Sequence, residues 1–177
     1  MIERYKSEDA FSALEDLLLV PVPINETNIP GGFAGQVIKK FPLVDIRLKE
    51  RGGLEETEIL IVGHLGREER WVPAYSLALC GIHRQQERGW ESAAEYLKAG
   101  LDKLVDRTSS DRKLATAGIP GTGYSGLSGN ASPEDIKNVL DQHSMRVTVY
   151  QDSFAGDREE LTYADPPLDA KVSLPLR

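Results

Sequence analysis

Apolar and polar positions alternate most regularly between Phe41 and Gly63, FPLVDIRLKERGGLEETEILIVG, where two runs flank Gly52-Gly53. Adjacent glycines both accept the positive φ of a two-residue hairpin turn. With the turn placed there, Val44 faces Ile61, Ile46 faces Ile59, Arg47 faces Glu58 and Leu48 faces Thr57. One side is then Val44, Ile46, Leu48, Ile59 and Ile61. The other sets Arg47 beside Glu58 and Lys49 beside Glu56, opposite charges across a strand pair. The pattern predicts a hairpin of strands 43–49 and 57–62. Those four charged residues either pair within it or meet a neighbouring subunit.

The remaining periodicities predict further elements. Ser7 caps a helix over 8–19 whose apolar positions are Phe11, Leu14, Leu17 and Leu18, and Pro21 and Pro23 stop it. Val20 to Gly35, with three prolines and three glycines, reads as a long surface loop. Pro73 opens a helix through Ala74, Leu77, Ala78 and Ile82. Trp90, Ala93, Ala94, Leu97, Leu101, Leu104 and Val105 form a stripe that predicts a helix over 90–106, packed on the apolar face of the hairpin. Ser132-Pro133-Glu134-Asp135 starts another, with His143 near its end. Met145, Val147 and Val149 alternate as a strand, followed by strand-like pieces through Leu161 and Tyr163 and through Val172, Leu174 and Leu176. The sum is an α+β fold: an antiparallel or mixed sheet with amphipathic helices packed on one face. It forms a single domain over 1–177, with 107–131 as a flexible glycine-rich loop.

Composition narrows the function classes. A chain of 177 residues buries a sizeable core without disulfides, and its single cysteine, Cys80, sits among Ala78, Leu79 and Ile82 as an inert thiol. A formal charge of −7 argues against a general nucleic-acid-binding surface. No run reaches the length of a membrane span, and MIERYKSEDAF is too polar for a signal peptide.

Candidate chemistry is sparse. His64 with Arg67, Glu68, Glu69 and Arg70 matches no metal-ligand spacing, and Asp152, Asp157, Glu159, Glu160 and Asp165 lack that of a calcium loop. Gly121, Gly123 and Gly126 form a GxGxxG match leading to the helix start at Ser132, where an anion can dock. The dinucleotide fingerprint needs a buried strand directly before its glycines, and Gly118-Ile119-Pro120 supplies none. No catalytic residue, metal or cofactor is expected.

Taken in order, a helix, a Pro/Gly loop, FPLVDIRL, a glycine turn, TEILIVG, GWESAAEYLKAGLDKLV and a late strand region ending in VSLPLR, the chain resembles the tail-terminator or tail-completion proteins of long-tailed bacteriophages. The resemblance covers 8–106 and, more loosely, 145–176. It implies a structural virion protein, assembled in the host cytoplasm into a hexameric ring of identical subunits. Such a ring ends the tail tube, contacts the tube protein and the head-completion protein, and passes DNA through an acidic lumen without specific binding. The alternative is a cytosolic small-ligand or phosphate-binding protein using Arg112, Lys113, the glycines at 121, 123 and 126 within the loop 121–129, and Ser132. An enzyme built on His64 or His83 is a third reading, which no nucleophile, base and orienting group at interpretable spacing supports.

Overall fold

The computed structural model describes residues 1–29, 31–63, 73–83, 91–120 and 133–151. Within these residues six strands form one mixed sheet: β1 (Ile2–Lys6), β2 (Leu17–Pro23), β3 (Ile59–Val62), β4 (Ser76–His83), β5 (Lys113–Ala117) and β6 (Arg146–Tyr150), in the order β1-β6-β5-β2-β4-β3. Every neighbouring pair is parallel except β3 with β4. Among the described residues four helices pack on it: α1 (Gly32–Lys40), α2 (Pro42–Arg51), α3 (Glu91–Arg107) and α4 (Pro133–Gln142). Among the described residues no helix is long and apolar enough to cross a membrane.

A mixed sheet with amphipathic helices is the class that the sequence predicts, but the helices divide between two faces where one was expected. Successive residues of β2 point to opposite sides. Leu18, Val20 and Val22 join Val37, Val44 and Leu48 of α1 and α2 in one core layer. Leu17 and Leu19 join Leu97, Leu101 and Leu104 of α3 and Ile136 and Leu140 of α4 in the other. A strand buried on both faces is apolar at every position, so it carries no alternation. For this reason the expected helix over 8–19 is instead a short 3-10 turn, Ala10–Ser12, followed by β2, and the expected helix after Pro73 is β4.

The predicted hairpin is corrected in the same way. Residues 42–51 are α2, in which Val44 and Leu48 are buried at helical spacing and Ile46 is 51% exposed. Asp45 with Lys49 and Glu50 with Arg47 are helical neighbours, at 2.7 and 3.1 Å, rather than cross-strand partners. Gly52 is the left-handed cap of this helix at φ 72, its N–H shared between the carbonyls of Leu48 and Lys49. Only the 59–62 half is a strand, and it pairs with β4.

The amphipathic elements keep their predicted places: α3, α4 and β6 lie where their periodicities put them. Inside the expected flexible loop 107–131, however, Lys113–Ala117 is β5, flanked by β2 and β6. In place of a long loop from Val20 to Gly35, β2 runs to Pro23 and α1 starts at Gly32. The strand pieces around Leu161, Tyr163 and Val172 to Leu176, the His64 cluster, the acids from Asp152 on, Trp71 and Trp90 lie outside the described residues.

Candidate functional site

Because β1, β6, β5, β2 and β4 are mutually parallel, their carboxyl ends share one edge of the sheet. In such sheets a ligand crevice forms where adjacent strands send their following helices to opposite faces. The central strands β2 and β5 do this. From β2 the chain turns to α1, in the layer of Val37, whereas from β5 it runs to α4, in the layer of Ile136.

Two prolines shape the opening. The β2–β5 ladder pairs Leu17 to Leu19 with Leu114 to Thr116 and ends there, while the β2–β4 ladder continues through Pro23. Pro21 and Pro23 share one parity, so the N–H groups they lack would face the same neighbour. Since β4 stays paired past Pro21 to Val22 and, after a shift in register, meets Pro23, that neighbour is β5. Proline is thus tolerated in a central strand where the ladder on one side has already parted, and the missing donors keep it parted.

Beyond β2, the loop from Ile24 leads into α1. Gly31 is the N-cap, extended at φ −141 with no side-chain cap, Gly32 follows at φ 65, and the first turn carries no acidic residue. The first N–H groups of a helix have no intrahelical partner and attract anions. On the β5 side the Thr116 hydroxyl donates to the carbonyl of Gly118, whose N–H donates to the carbonyl of Tyr150 at 2.8 Å. Gly118, at φ 65, turns the chain away from the strand. Residues 121–132, with Gly121, Gly123, Gly126 and Ser132, join this end of β5 to α4 and lie outside the described residues.

Behind the edge lies a buried polar group. Glu15 accepts a hydrogen bond from the Tyr150 hydroxyl at 2.7 Å, and Lys6 Nζ donates to the same oxygen at 3.2 Å. Burial opposes the ionisation of Glu15, but hydrogen bonds from Tyr150, Thr148 and its own backbone outweigh it and hold the carboxyl below its usual range. Burial and the bond to Glu15 raise the Tyr150 phenol. Cys80, fully buried beneath α3, has its thiol pushed up to about 12 by desolvation, in keeping with the inert role expected of it.

Among the described residues singled out from sequence, the two cations of the anion-site reading and the four charges of the expected hairpin lie apart. Arg112 and Lys113 stand at the start of β5, the amino end, where Arg112 pairs with Asp16 at 3.4 Å and the N–H of Lys113 donates to the same carboxylate. A five-residue strand, ~16 Å long, separates them from Gly118. Arg47 and Lys49 lie on α2, paired within it, while Glu56 and Glu58 lie in the turn before β3, where Glu58 pairs with Arg51. Among the described residues no group of His, Cys, Asp and Glu is placed to hold a metal ion. What sequence reasoning passed over is Gly31-Gly32-Phe33-Ala34-Gly35, whose signal was an unbroken apolar run, LLLVPVP, followed by a glycine pair and then VIKK.

No protein-family model matches the chain, and no curated protein does. Solved structures do. The macrodomain of Mycobacterium tuberculosis DarG superposes with a TM-score of 0.62 at 16% identity, over 85% of this chain and 97% of that one. For the macrodomain of Thermus aquaticus DarG the values are 0.56, 20%, 85% and 97%. DarTG of Thermosipho africanus, solved in complex with ADP-ribose, matches at 0.57 and 18% over 80% of this chain and 39% of its own length. At such identities the likeness is one of fold. It replaces the tail-terminator resemblance, which rested on a hairpin whose first strand is in fact α2. The hexameric ring, the tube and head-completion partners, the DNA lumen and the virion location go with it.

Proposed function

We propose that this chain binds ADP-ribose, free or attached to a larger molecule, in the crevice between the carboxyl ends of β2 and β5. The observation that carries the reading is the uncapped, acid-free start of α1 at Gly31-Gly32. It opens directly onto a switch point, in a fold shared with a protein solved around ADP-ribose. A diphosphate set against those N–H groups replaces an absent capping side chain. This is the small-ligand alternative drawn from the sequence, moved from the cations of β5 to the glycines of α1. Gly121, Gly123, Gly126 and Ser132 enter it through their position in the chain between β5 and α4.

The role is binding rather than turnover. Where β2 reaches the crevice, Val20 and Val22 are packed into the core with α1 and α2, and Pro21 and Pro23 carry no proton to transfer. Titration calorimetry with ADP-ribose, ADP and inorganic phosphate tests the reading. Saturable one-to-one binding of ADP-ribose, tighter than ADP, is expected, with thermal stabilisation that grows with ligand concentration. No heat and no stabilisation at millimolar ADP-ribose would overturn it. Release of ADP-ribose from a modified protein substrate would overturn the binding-only role.

A further inference from the structure

Three stretches of backbone are stacked where β2 runs out. Ile24 bridges Leu54, and the N–H of Asn25 donates to the carbonyl of Leu54 at 2.7 Å. Asn25 is itself left-handed, at φ 59. Against it lies Gly53: a Cβ there would fall 2.8 Å from the carbonyl carbon of Asn25 and 2.9 Å from the nitrogen of Glu26. On the other side Gly81 of β4 leaves room for the carbonyl of Glu55, which would stand 2.8 Å from an added Cβ. The turn between α2 and β3 is anchored at both ends. The N–H of Gly53 donates to Leu48 at 2.9 Å, and the Glu58 carboxylate takes the N–H of Glu55 at 2.9 Å while pairing with Arg51.

We infer that Gly53 is a positioning residue of the ligand crevice. Its bare Cα lets the α2–β3 turn grip the backbone of Asn25 and Glu26, and that grip sets the path by which the β2–α1 loop delivers the N-terminus of α1. The inference deepens the ADP-ribose reading and rests on it. Gly52 supplies the internal control: it too has a positive φ, 72, but nothing lies within 4 Å of an added Cβ. A methyl at 52 strains its own backbone alone. At 53, where φ is 92, it strains the backbone and also displaces Asn25.

The test compares Gly53→Ala with Gly52→Ala in the full chain, by thermal unfolding, amide hydrogen exchange without ligand, and ADP-ribose titration. Both variants are expected to lose stability. Only Gly53→Ala should exchange faster at residues 25–29 and weaken ADP-ribose by about tenfold or more, since small displacements of a binding loop are costly. If Gly53→Ala matches Gly52→Ala in exchange and affinity, the inference is wrong. Should Gly53→Ala not fold, Gly81→Ala presses on the same stack through Glu55, and unchanged exchange at 25–29 with unchanged affinity overturns the inference equally. A wild-type protein that ignores ADP-ribose would refute the binding reading instead, and loop exchange would still decide whether Gly53 holds the loop.

Discussion

Along the amino edge of the sheet the chain is tied by side-chain carboxylates. Asp16 accepts from Arg112 and from the N–H of Lys113, Arg146 pairs with Glu3 at 2.6 Å, and His143 meets Asp102 at 3.0 Å. At the carboxyl edge, beside the Arg51–Glu58 pair and the Lys6–Tyr150 bond, the crevice loops are held backbone against backbone: Asn25 on Leu54, Gly118 on Tyr150, Gln151 on Lys6. The difference is physical as well as positional. An edge fastened by side-chain carboxylates has its charges already answered. An edge made of glycine, proline and main-chain bonds keeps helix donors available and lets a ligand approach the backbone closely.

The largest expected effect breaks this contrast by importing the chemistry of one edge into the other. Gly31 is extended at the N-cap of α1, a conformation that any residue adopts. In Gly31→Asp the new carboxylate caps the free N–H groups and takes the place of a phosphate. ADP-ribose affinity should fall by roughly a hundredfold while the melting temperature holds or rises, because filling an anion site with an internal anion removes binding at no cost to the fold. Calorimetry and thermal unfolding on the same preparation read both. A variant that still binds as the wild type does would place the ligand elsewhere.

Next in size is a loss at the polar group behind the edge. Glu15→Ala leaves the buried hydroxyl of Tyr150 without its acceptor, at a cost of about 1–3 kcal/mol in denaturant unfolding. ADP-ribose affinity should stay within about twofold, since among the described residues this carboxylate takes its hydrogen bonds from Tyr150, Thr148 and the N–H of Leu14, away from the loop after β2. The same group gives a pH signature. Its carboxyl titrates lower in the folded chain than in the unfolded one, so its stabilisation is fully present above the usual carboxylate value of 4.5 and is lost as pH falls through the depressed value. The wild type should therefore lose more stability than Glu15→Gln on acidification below that value. Parallel curves would remove Glu15 from the account.

How much of this was legible follows from where water lies. The helices α3 and α4 each leave a wet side, so Leu97, Leu101 and Leu104 stand out against charged neighbours, whereas β6 is buried from Val147 to Tyr150 and owes its alternation to Thr148 and Tyr150, polar side chains that the fold buries. In β2 and β4 both faces are dry, and a run such as Leu17 to Val22 has a composition but no period. The segment 42–51 failed for the opposite reason. Val44, Ile46 and Leu48 satisfy a period of two, yet Val44 and Leu48 alone satisfy a turn of helix, and the charge pairs fit both schemes. What separated the two was Ile46, which only the fold shows to be solvent-facing. The crevice was less legible still. Its β5 wall was hidden in a polar stretch, and its glycines at 31 and 32 gained meaning only once LLLVPVP became a strand.

The smallest expected effect bears on the cations that the sequence put forward as an anion site. Arg112 is 57% exposed and holds Asp16 at 3.4 Å, so Arg112→Ala should cost no more than about 1 kcal/mol, with the difference shrinking in salt. Asp16 keeps its bond to the N–H of Lys113 in that variant, which leaves the start of β5 in place. Affinity for ADP-ribose should not move, because the guanidinium and the start of α1 belong to opposite edges of the sheet. A tenfold loss of ADP-ribose affinity in Arg112→Ala at unchanged stability would mean that a ligand phosphate reaches the amino edge. The functional division between carboxylate-tied and backbone-tied edges would then be wrong.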